Sequence, residues 1–329
     1  MPTLHPCGLP IRPAAGHTDD LFVACSSYED RTLTVVDALS TDYRTRQAAI
    51  FVSREYADKG DAPAHLASMR QRLSQATGGE PRLIKFEIDR ALASLREFEG
   101  LCGKWAGEHP IEFTTLDIST FPRQELLVLL RVLDKIVGLS RVRILYTAPL
   151  KYGSEEAGGW LTRGVKAVRA VPGFGGVQPP GKGKLLVILL GHEEERAAIT
   201  WKRHQPRKCV IVLPAPGYRP ELTEMLDGRH SLLFTMAAKS AVRVRIPARG
   251  IQETRDLILR LWEEHKDTHY LVVAPLGTKL QTLGVFDAVR RQPAIQITYA
   301  VPAIYNHQRF SQKSGEVWQV AMPSGCAGG

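Results

Sequence analysis

The feature that most constrains the fold of this 329-residue chain is an internal repeat. Early in each half, an apolar strand-like run leads into a polar turn and then a helical pattern. The two runs are FVACSSYEDR at 22–31 and VILLGHEEER at 187–196. Aligned without a gap, Glu29 corresponds to Glu194 and Arg31 to Arg196. A chain that repeats one order of elements is expected to fold as two similar units.

Two further segments repeat in the same order. The pattern Y-x-x-P-x-x-Y occurs at 146–152 and again at 299–305, each time after a run rich in strand-forming residues. Upstream of it, each half has a strand, a turn and a basic residue that opens an amphipathic helix. That basic residue is Arg123 in the first half and Lys279 in the second. Strands that alternate with such helices are typical of a mainly parallel sheet.

The sequence therefore predicts an α/β fold of two tandem Rossmann-like units with mainly parallel sheets, related by a pseudo-twofold axis. The Gly- and Pro-rich stretch between the copies is the natural link and places the boundary near residue 182. The predicted organisation is an N-terminal extension at 1–19, a first unit at 20–157, a linker at 158–183, a second unit at 184–310 and a C-terminal tail at 311–329.

Composition narrows the class of protein. With 44% hydrophobic and 23% charged residues, the chain matches globular proteins and not disordered ones. It has no apolar stretch of about 18 residues, and its Pro-broken N-terminus lacks the apolar core of a signal peptide. We therefore expect a soluble, cytoplasmic protein with no membrane partner. The five cysteines show no C-x-x-C pairing, so the sequence indicates neither a metal site nor a cofactor.

The net charge bears on partners. A formal charge of +9 and a pI near 9.4 favour anionic partners such as nucleotides, nucleic acid or an acidic protein. The basic residues are dispersed, with no run of five or six Lys and Arg. A basic but ordinary surface is therefore an equal alternative.

The first candidate binding site is the turn after the first strand of each half. In open α/β sheets the ligand crevice lies at the carboxyl ends of the strands, where helix N-termini offer N–H groups. The candidates in these turns are Ser26, Ser27, Glu29 and Arg31, and Gly191, Glu194 and Arg196. In the alternative interpretation, the serines cap a helix and each Glu and Arg form an internal ion pair.

The turn 275–281, PLGTKLQ, is a second candidate site. Gly277 frees the backbone, Thr278 offers a hydroxyl, and Lys279 adds a positive charge at a helix start. The helix dipole disfavours a cation there, so a bound anion would explain the choice. Arg123, which follows Ser119, holds the equivalent place in the first half. Alternatively, the Lys279 side chain simply reaches solvent.

Aromatic and catalytic candidates complete the set. Tyr146 and Tyr299 are suited either to stack on nucleobases or to pack in the core. The chain lacks the motifs of serine hydrolases, zinc proteases, deaminases and P-loop proteins. The remaining catalytic candidates are the strand-end carboxylates Glu29 and Glu194, and His192 beside its carboxylates. We expect a binding protein more than an enzyme.

The turns DISTFPR at 117–123 and PLGTK at 275–279 resemble a ligand motif of CARF domains, the CRISPR-associated Rossmann-like sensors. In that motif a strand is followed by a D-x-T-G-G-T-K-like turn and a helix. The second half keeps the Gly, Thr and Lys of this pattern. The first half keeps Asp117 and Ser119 and has Arg123 where the family has Lys.

The resemblance implies a pair of units that bind a cyclic oligonucleotide or another nucleotide in a shared cleft, in prokaryotic antiviral defence. Such sensors usually carry an effector such as a nuclease, and few residues follow residue 310, so we expect a separate effector protein. Two alternatives stay open. One is a nucleotide- or nucleoside-processing enzyme that uses Glu29 or Glu194, and the other is a basic RNA- or DNA-binding subunit of a larger complex.

Overall fold

The computed structural model describes residues 3–322 except 15, 17, 89, 154–158, 220, 222, 224–227 and 309. The chain divides into two units. The first comprises residues 1–159 together with 306–329, and the second comprises 160–305. Each unit is an α/β structure built on one mostly parallel sheet, so the predicted fold class of mixed α/β with mainly parallel strands is confirmed.

The elements of unit 1 begin near the N-terminus and end near the C-terminus. Its strands are β1 (Thr3–Pro6), β2 (Asp19–Ser26), β3 (Thr45–Ser53), β4 (Arg82–Phe86), β5 (Thr114–Asp117), β6 (Val142–Tyr152) and β13 (Ser311–Ala321). Its helices are α1 (Thr34–Asp37), α2 (Ala62–Thr77), α3 (Ala91–Glu108) and α4 (Arg123–Ile136).

Unit 2 lies between these segments in the chain. Its strands are β7 (Thr162–Ala170), β8 (Gly183–Leu189), β9 (Lys208–Pro214), β10 (Ala241–Ile246), β11 (His269–Pro275) and β12 (Gln296–Tyr305). Its helices are α5 (Glu194–His204), α6 (Ser231–Ala237), α7 (Ile251–His265) and α8 (Lys279–Arg291). No helix in the described ranges is long and apolar enough to cross a bilayer.

The apolar pattern accounts for these elements. The central strands β2 and β8 carry unbroken apolar runs and are buried along most of their length, as parallel strands covered on both faces must be. In α4, apolar residues recur at three- and four-residue spacing, and Leu126, Leu130 and Leu133 are fully buried. Helices of this kind cover the faces of the sheets. The turns that follow the strands lie at the strand ends.

The two sheets share one strand order. Unit 1 has the order β1-β13-β6-β5-β2-β3-β4, and unit 2 has β10-β9-β8-β11-β12-β7. Taken from the opposite end, unit 1 presents β4-β3-β2-β5-β6-β13, which corresponds strand by strand to unit 2. In both, the first five strands are parallel and the sixth is antiparallel. This is the order that a duplication predicts, although a common origin and a pseudo-twofold relation stay predictions.

The sixth strand of each sheet lies far in sequence from the strand it pairs with. Strand β7 follows β6 in sequence but pairs with β12, and β13 follows β12 but pairs with β6. The segment 158–183, expected to be a linker, therefore contains a strand of unit 2, and the expected tail contains a strand of unit 1. The expected N-terminal extension contributes β1, which pairs with β13. Gly and Pro content cannot locate such strands, because their partners are distant in sequence.

Candidate functional site

In unit 1, a buried ion pair holds the turn at the carboxyl end of β2. The Arg31 side chain is 2% exposed, and its Nε and Nη2 donate to the two carboxylate oxygens of Glu29 at 2.9 and 3.2 Å. Its Nη1 donates to the Thr147 carbonyl on β6 at 2.9 Å. Ser311 on β13 adds a hydroxyl that donates to Glu29 Oε2 at 2.7 Å. The guanidinium therefore ties the turn to β6, and both carboxylate oxygens are engaged.

The electrostatics keep this arginine charged. Burial lowers the pKa of Arg31, but the Glu29 carboxylate, together with Tyr146 and Tyr152, raises that pKa above its usual value. A two-point Arg–carboxylate pair of this kind is among the stronger interactions in proteins. The ion-pair alternative predicted for this turn thus describes Glu29 and Arg31.

Unit 2 anchors its corresponding arginine at the corresponding carbonyl. Arg196 donates from Nε and Nη2 to the Ala300 carbonyl at 3.0 and 2.7 Å. Thr147 and Ala300 are the second residues of the two Y-x-x-P-x-x-Y motifs. The Arg196 guanidinium also lies 4.9 Å from the centroid of the Tyr299 ring. The predicted correspondence of Arg31 with Arg196 therefore has a direct geometric counterpart.

The acids of the two turns have different partners, although Glu29 and Glu194 occupy corresponding positions in the ungapped alignment. Glu194 Oε1 accepts from the backbone N–H groups of Leu232 and Leu233 at 2.6 and 3.2 Å, in the first turn of α6. It satisfies N–H groups that a helix start leaves unpaired. Burial lowers the pKa of Arg196, while Tyr299 and then Glu193 raise it, so Glu193 is the nearby carboxylate. The ion-pair alternative therefore does not describe Glu194.

The turn after β5 is built around Ser119. Asp117 Oδ1 accepts from the Ser119 backbone N–H at 2.9 Å and from its hydroxyl at 2.5 Å. The Ser119 oxygen in turn accepts from the Thr147 N–H at 3.0 Å. Ser119 is completely buried, and its hydrogen bonds hold this turn against β6. Helix α4 then begins at Arg123, which is half-buried.

The turn after β11 ends in a capping box. The Thr278 hydroxyl accepts from the Gln281 N–H at 3.1 Å and donates to the Ala248 carbonyl at 2.6 Å. The Gln281 side chain accepts from the Thr278 N–H at 3.2 Å, which completes the reciprocal pair. Lys279 follows as the first residue of α8 and is half-buried. Each unit thus places a basic residue at the first position of the helix after its fourth parallel strand.

Two glycines in unit 2 are required by the packing of the chain on itself. A Cβ on Gly191 would collide with the Leu276 carbonyl oxygen, and one on Gly277 would collide with Gln281 Oε1. The turns that follow β8 and β11 therefore approach each other closely. Ser26 occupies the aligned position in unit 1 and is accommodated there, 6% exposed. The close approach that the sequence suggested for a ligand is made by a neighbouring turn.

The remaining candidates divide between core and surface. Tyr146 and Tyr299 are each 1% exposed, so the packing alternative describes both rings. Ser27 and His192 lie half-exposed in the turns after β2 and β8. Among the described residues, no group of three or more His, Cys, Asp and Glu could hold a metal ion.

Glu55, a carboxylate not predicted as a site residue, lies just beyond the end of the neighbouring strand β3. Glu55 Oε2 accepts from the Ser53 hydroxyl at 2.7 Å, and its Oε1 accepts from the Ile88 N–H at 3.0 Å. Gln124, next to Arg123, donates to the Ile88 carbonyl at 3.2 Å. These bonds join the turns after β3, β4 and β5 at one edge of the sheet. In the sequence, this acid could have been found as a carboxylate three residues after the apolar run of β3.

Comparison with known proteins gives a fold relationship. No family model matches the chain, and no curated protein matches it. Among solved structures, a Type III CRISPR defence DNA nuclease activated by cyclic oligoadenylate is similar, with a TM-score of 0.51 and 10% identity. The match covers 86% of this chain and 65% of the nuclease chain, so this chain spans just under two thirds of that protein. At this identity the match shows a common fold.

A second structure is Can2 from Sulfobacillus thermosulfidooxidans in complex with cyclic tetra-adenylate. It is 16% identical, and the match covers 40% of this chain and 37% of that one. Its TM-score is 0.29, too low to support an argument about this fold.

Proposed function

We propose that this protein is the nucleotide-sensing module of a prokaryotic antiviral defence system. It binds an anionic nucleotide or short oligonucleotide through the turns at the carboxyl ends of its strands and acts through a separate effector protein. The observation that carries the proposal is the basic residue at the first position of α4 and of α8, Arg123 and Lys279. The fold shared with a nuclease activated by cyclic oligoadenylate supports it.

The start of a helix favours a bound anion. Backbone N–H groups of the first turn point out of the helix, and the helix dipole makes this end positive. A cation at the first position is disfavoured by that dipole, by about 0.3–1 kcal/mol. A bound phosphate reverses the sign of this term, because it interacts favourably with the side chain, the N–H groups and the dipole together. Both units have a basic residue at this unfavourable position.

In this proposal the basic side chains, and not the turn hydroxyls, contact the phosphate. The Thr278 hydroxyl is already bonded within its capping box, so Lys279 provides the side-chain contact in unit 2. In unit 1, Ser119 is likewise engaged, and Arg123 provides that contact. Arg31 and Arg196 act as buried anchors of the turns. The cleft shared between the units stays a prediction.

Titration calorimetry with cyclic and linear oligoadenylates and with mononucleotides tests the proposal. Lys279→Glu and Arg123→Glu should each abolish the binding heat. Because an acid at a helix start is favoured by the dipole, both variants should keep their stability within about 1 kcal/mol. Lys135→Glu is the matched control, since it makes the same charge change in the last turn of α4, where Lys135 is 76% exposed. It should bind as the wild type does.

Two outcomes would remove the proposal. One is a folded wild-type protein that gives no heat with any of these ligands. The other is a Lys279→Glu, Arg123→Glu double variant that binds as tightly as Lys135→Glu.

A further inference from the structure

The opposite, amino-terminal end of the unit 2 sheet carries a concentration of cations. Lys182 and Lys184 flank the start of β8, Arg207 and Lys208 lie at the start of β9, and Arg203 lies in the last turn of α5. We call these five residues the amino-end cluster. Arg203, Arg207 and Lys208 are exposed, and the two lysines of β8 are half-buried.

Strand register and hydrogen bonds bring these residues together. In the sheet Leu185 pairs with Lys208, and the Arg207 N–H donates to the Lys184 carbonyl at 3.0 Å. Lys184 Nζ donates to the His204 carbonyl at the end of α5, at 2.7 Å. Since β8 and β9 are neighbours about 4.8 Å apart, the cations at their starts lie side by side at this end of the sheet.

In the described residues, no carboxylate lies within ion-pair distance of the cluster. Within the part of the chain that the structure describes, none of its five residues forms an ion pair. The same end of the unit 1 sheet has paired charges. There, Arg12 pairs with Asp42 at 3.4 Å, Arg46 with Asp20 at 3.2 Å, and Arg143 with Asp19 at 3.1 Å. At this end of the sheet, unit 1 therefore has ion pairs, whereas the cations of the unit 2 cluster have no ion-pair partner among the described residues.

Two histidines near the cluster have lowered pKa values, to which the neighbouring cations contribute. Burial, followed by the charges of Lys184 and Arg203, lowers the pKa of His204 to about 4. Burial, followed by Lys208, His265 and Arg207, lowers the pKa of His269. His269 is 6% exposed, and its Nε2 is buried with no hydrogen-bond partner.

The helix dipole accounts for only part of this distribution. A cation in the last turn of a helix is favourable, which explains Arg203 in α5. Lys182 Nζ donates to the Lys266 carbonyl at the end of α7 at 2.5 Å, so this lysine also gains from a helix C-terminus. Arg207 and Lys208 lie outside helices, and within the described residues their side chains make no bond to a helix end. Five cations held close together without counter-ions repel one another, and a polyanion relieves that repulsion.

We propose that the amino-end cluster binds the phosphate backbone of a nucleic acid. This goes beyond the proposed function, because the cluster lies at the other end of the strands whose carboxyl ends lead to the sensing turns. An acidic protein is the less suitable partner. Stable protein interfaces need clustered apolar or aromatic anchors. At this end of the sheet the exposed large apolar side chains that the structure describes are Val242 on β10 and Val177, which bonds to Ala294 before β12, and they lie on opposite sides of the cluster. Phosphate contacts by Lys and Arg are sufficient for nucleic-acid binding.

The test is the binding of the full chain to labelled mixed-sequence duplex DNA and to labelled single-stranded RNA, followed by fluorescence anisotropy over a series of salt concentrations. The variant is Arg203→Gln, Arg207→Gln, Lys208→Gln. Removing three cations that bind phosphate should weaken binding about tenfold or more, and it should reduce the slope of log K against log salt by about 2–3. A thermal melt of each protein verifies folding.

The matched control is Arg12→Gln, Arg44→Gln, Arg46→Gln, which removes the same charge from the amino-terminal end of the unit 1 sheet. It should change the affinity less than about threefold and leave the salt slope unchanged, since these residues are not expected to bind phosphate. Equal effects of the two triple variants would show a non-specific charge effect and would overturn the proposal. So would the absence of a complex at low salt. Loss of binding in Lys279→Glu alone would place the nucleic acid at the sensing turns and would also overturn it.

Discussion

The two units carry the same arginine to the same carbonyl but surround it differently. In unit 1, Arg31 has a buried carboxylate partner that binds it at two points, and Ser311 completes the group. In unit 2, Arg196 lies beside the Tyr299 ring, and the aligned acid Glu194 instead bonds to the start of α6. The anchoring bond is common to both units, to Thr147 on β6 and to Ala300 on β12. The charge partners are specific to each unit.

The amino-terminal ends differ more strongly. By the same ungapped alignment, Lys184 of unit 2 stands where unit 1 has Asp19. Asp19 is fully buried and accepts hydrogen bonds from Arg143, Tyr43 and Thr115. The charge at this aligned position is therefore reversed. In unit 1 the residue belongs to a closed polar network, and in unit 2 it belongs to the amino-end cluster. The comparison shows that the two units keep a common topology and differ in where they leave charge available to a partner.

The largest expected effect separates the two anchors. Arg31→Met leaves Glu29 buried without a cation, so it should lower the free energy of unfolding by about 3–5 kcal/mol. Arg196→Met leaves mainly the Ala300 carbonyl unsatisfied, so it should cost about 1–3 kcal/mol. Urea unfolding followed by circular dichroism measures both values.

A second variant sharpens this comparison. Adding Glu29→Gln to Arg31→Met should restore part of the lost stability, because it removes the unpaired buried charge. Equal costs for the two single arginine variants, without recovery in the double variant, would mean that the ion pair adds nothing to the anchor.

A smaller effect is expected where the first turns differ. In Gly191→Ala the added methyl group meets the Leu276 carbonyl, so the turns must separate, at a cost of about 1–3 kcal/mol. Ser26→Ala, at the aligned position of unit 1, adds no atom and should cost less than about 1 kcal/mol. The same urea titration reports both, and a Gly191→Ala protein as stable as Ser26→Ala would contradict the close contact of the turns.

The smallest effect concerns pH and the amino-end cluster. The pKa of His204 is lowered to about 4 in the folded state, against about 6.5 in an unfolded chain. Below pH 6.5 the unfolded state takes up the proton first, so this group's contribution to stability is present above pH 6.5 and is lost as the pH falls toward 4.

The variant that tests this is His204→Gln, which keeps a group able to bond to Thr298 Oγ1, 3.0 Å from His204 Nε2. Between pH 7 and pH 4 the wild type should lose about 2–4 °C more in melting temperature than the variant, once solvent screening is allowed for. Parallel melting curves across that range would contradict the positive potential inferred at this end of unit 2.

Local pattern was sufficient for much of the architecture. Apolar runs and helical spacing predicted alternating strands and helices, and the starts of α4 at Arg123 and α8 at Lys279 follow from the turn chemistry before them. The repeat also paired Arg31 with Arg196, and both donate to the corresponding carbonyl. These features depend on residues close together in sequence, where periodicity and capping act.

Contacts between distant residues decided the rest. Strands β7 and β13 each pair with a strand that lies far away in the chain, and no local signal identifies a strand's partner. Glu194 aligns with Glu29, yet its carboxylate bonds to an N–H group 38 residues away because α6 begins beside it. The sequence by itself determined the repeated elements and their order. Only the tertiary structure decided which hydrogen bonds and charges remain unmatched, because that depends on which chain segments are brought side by side.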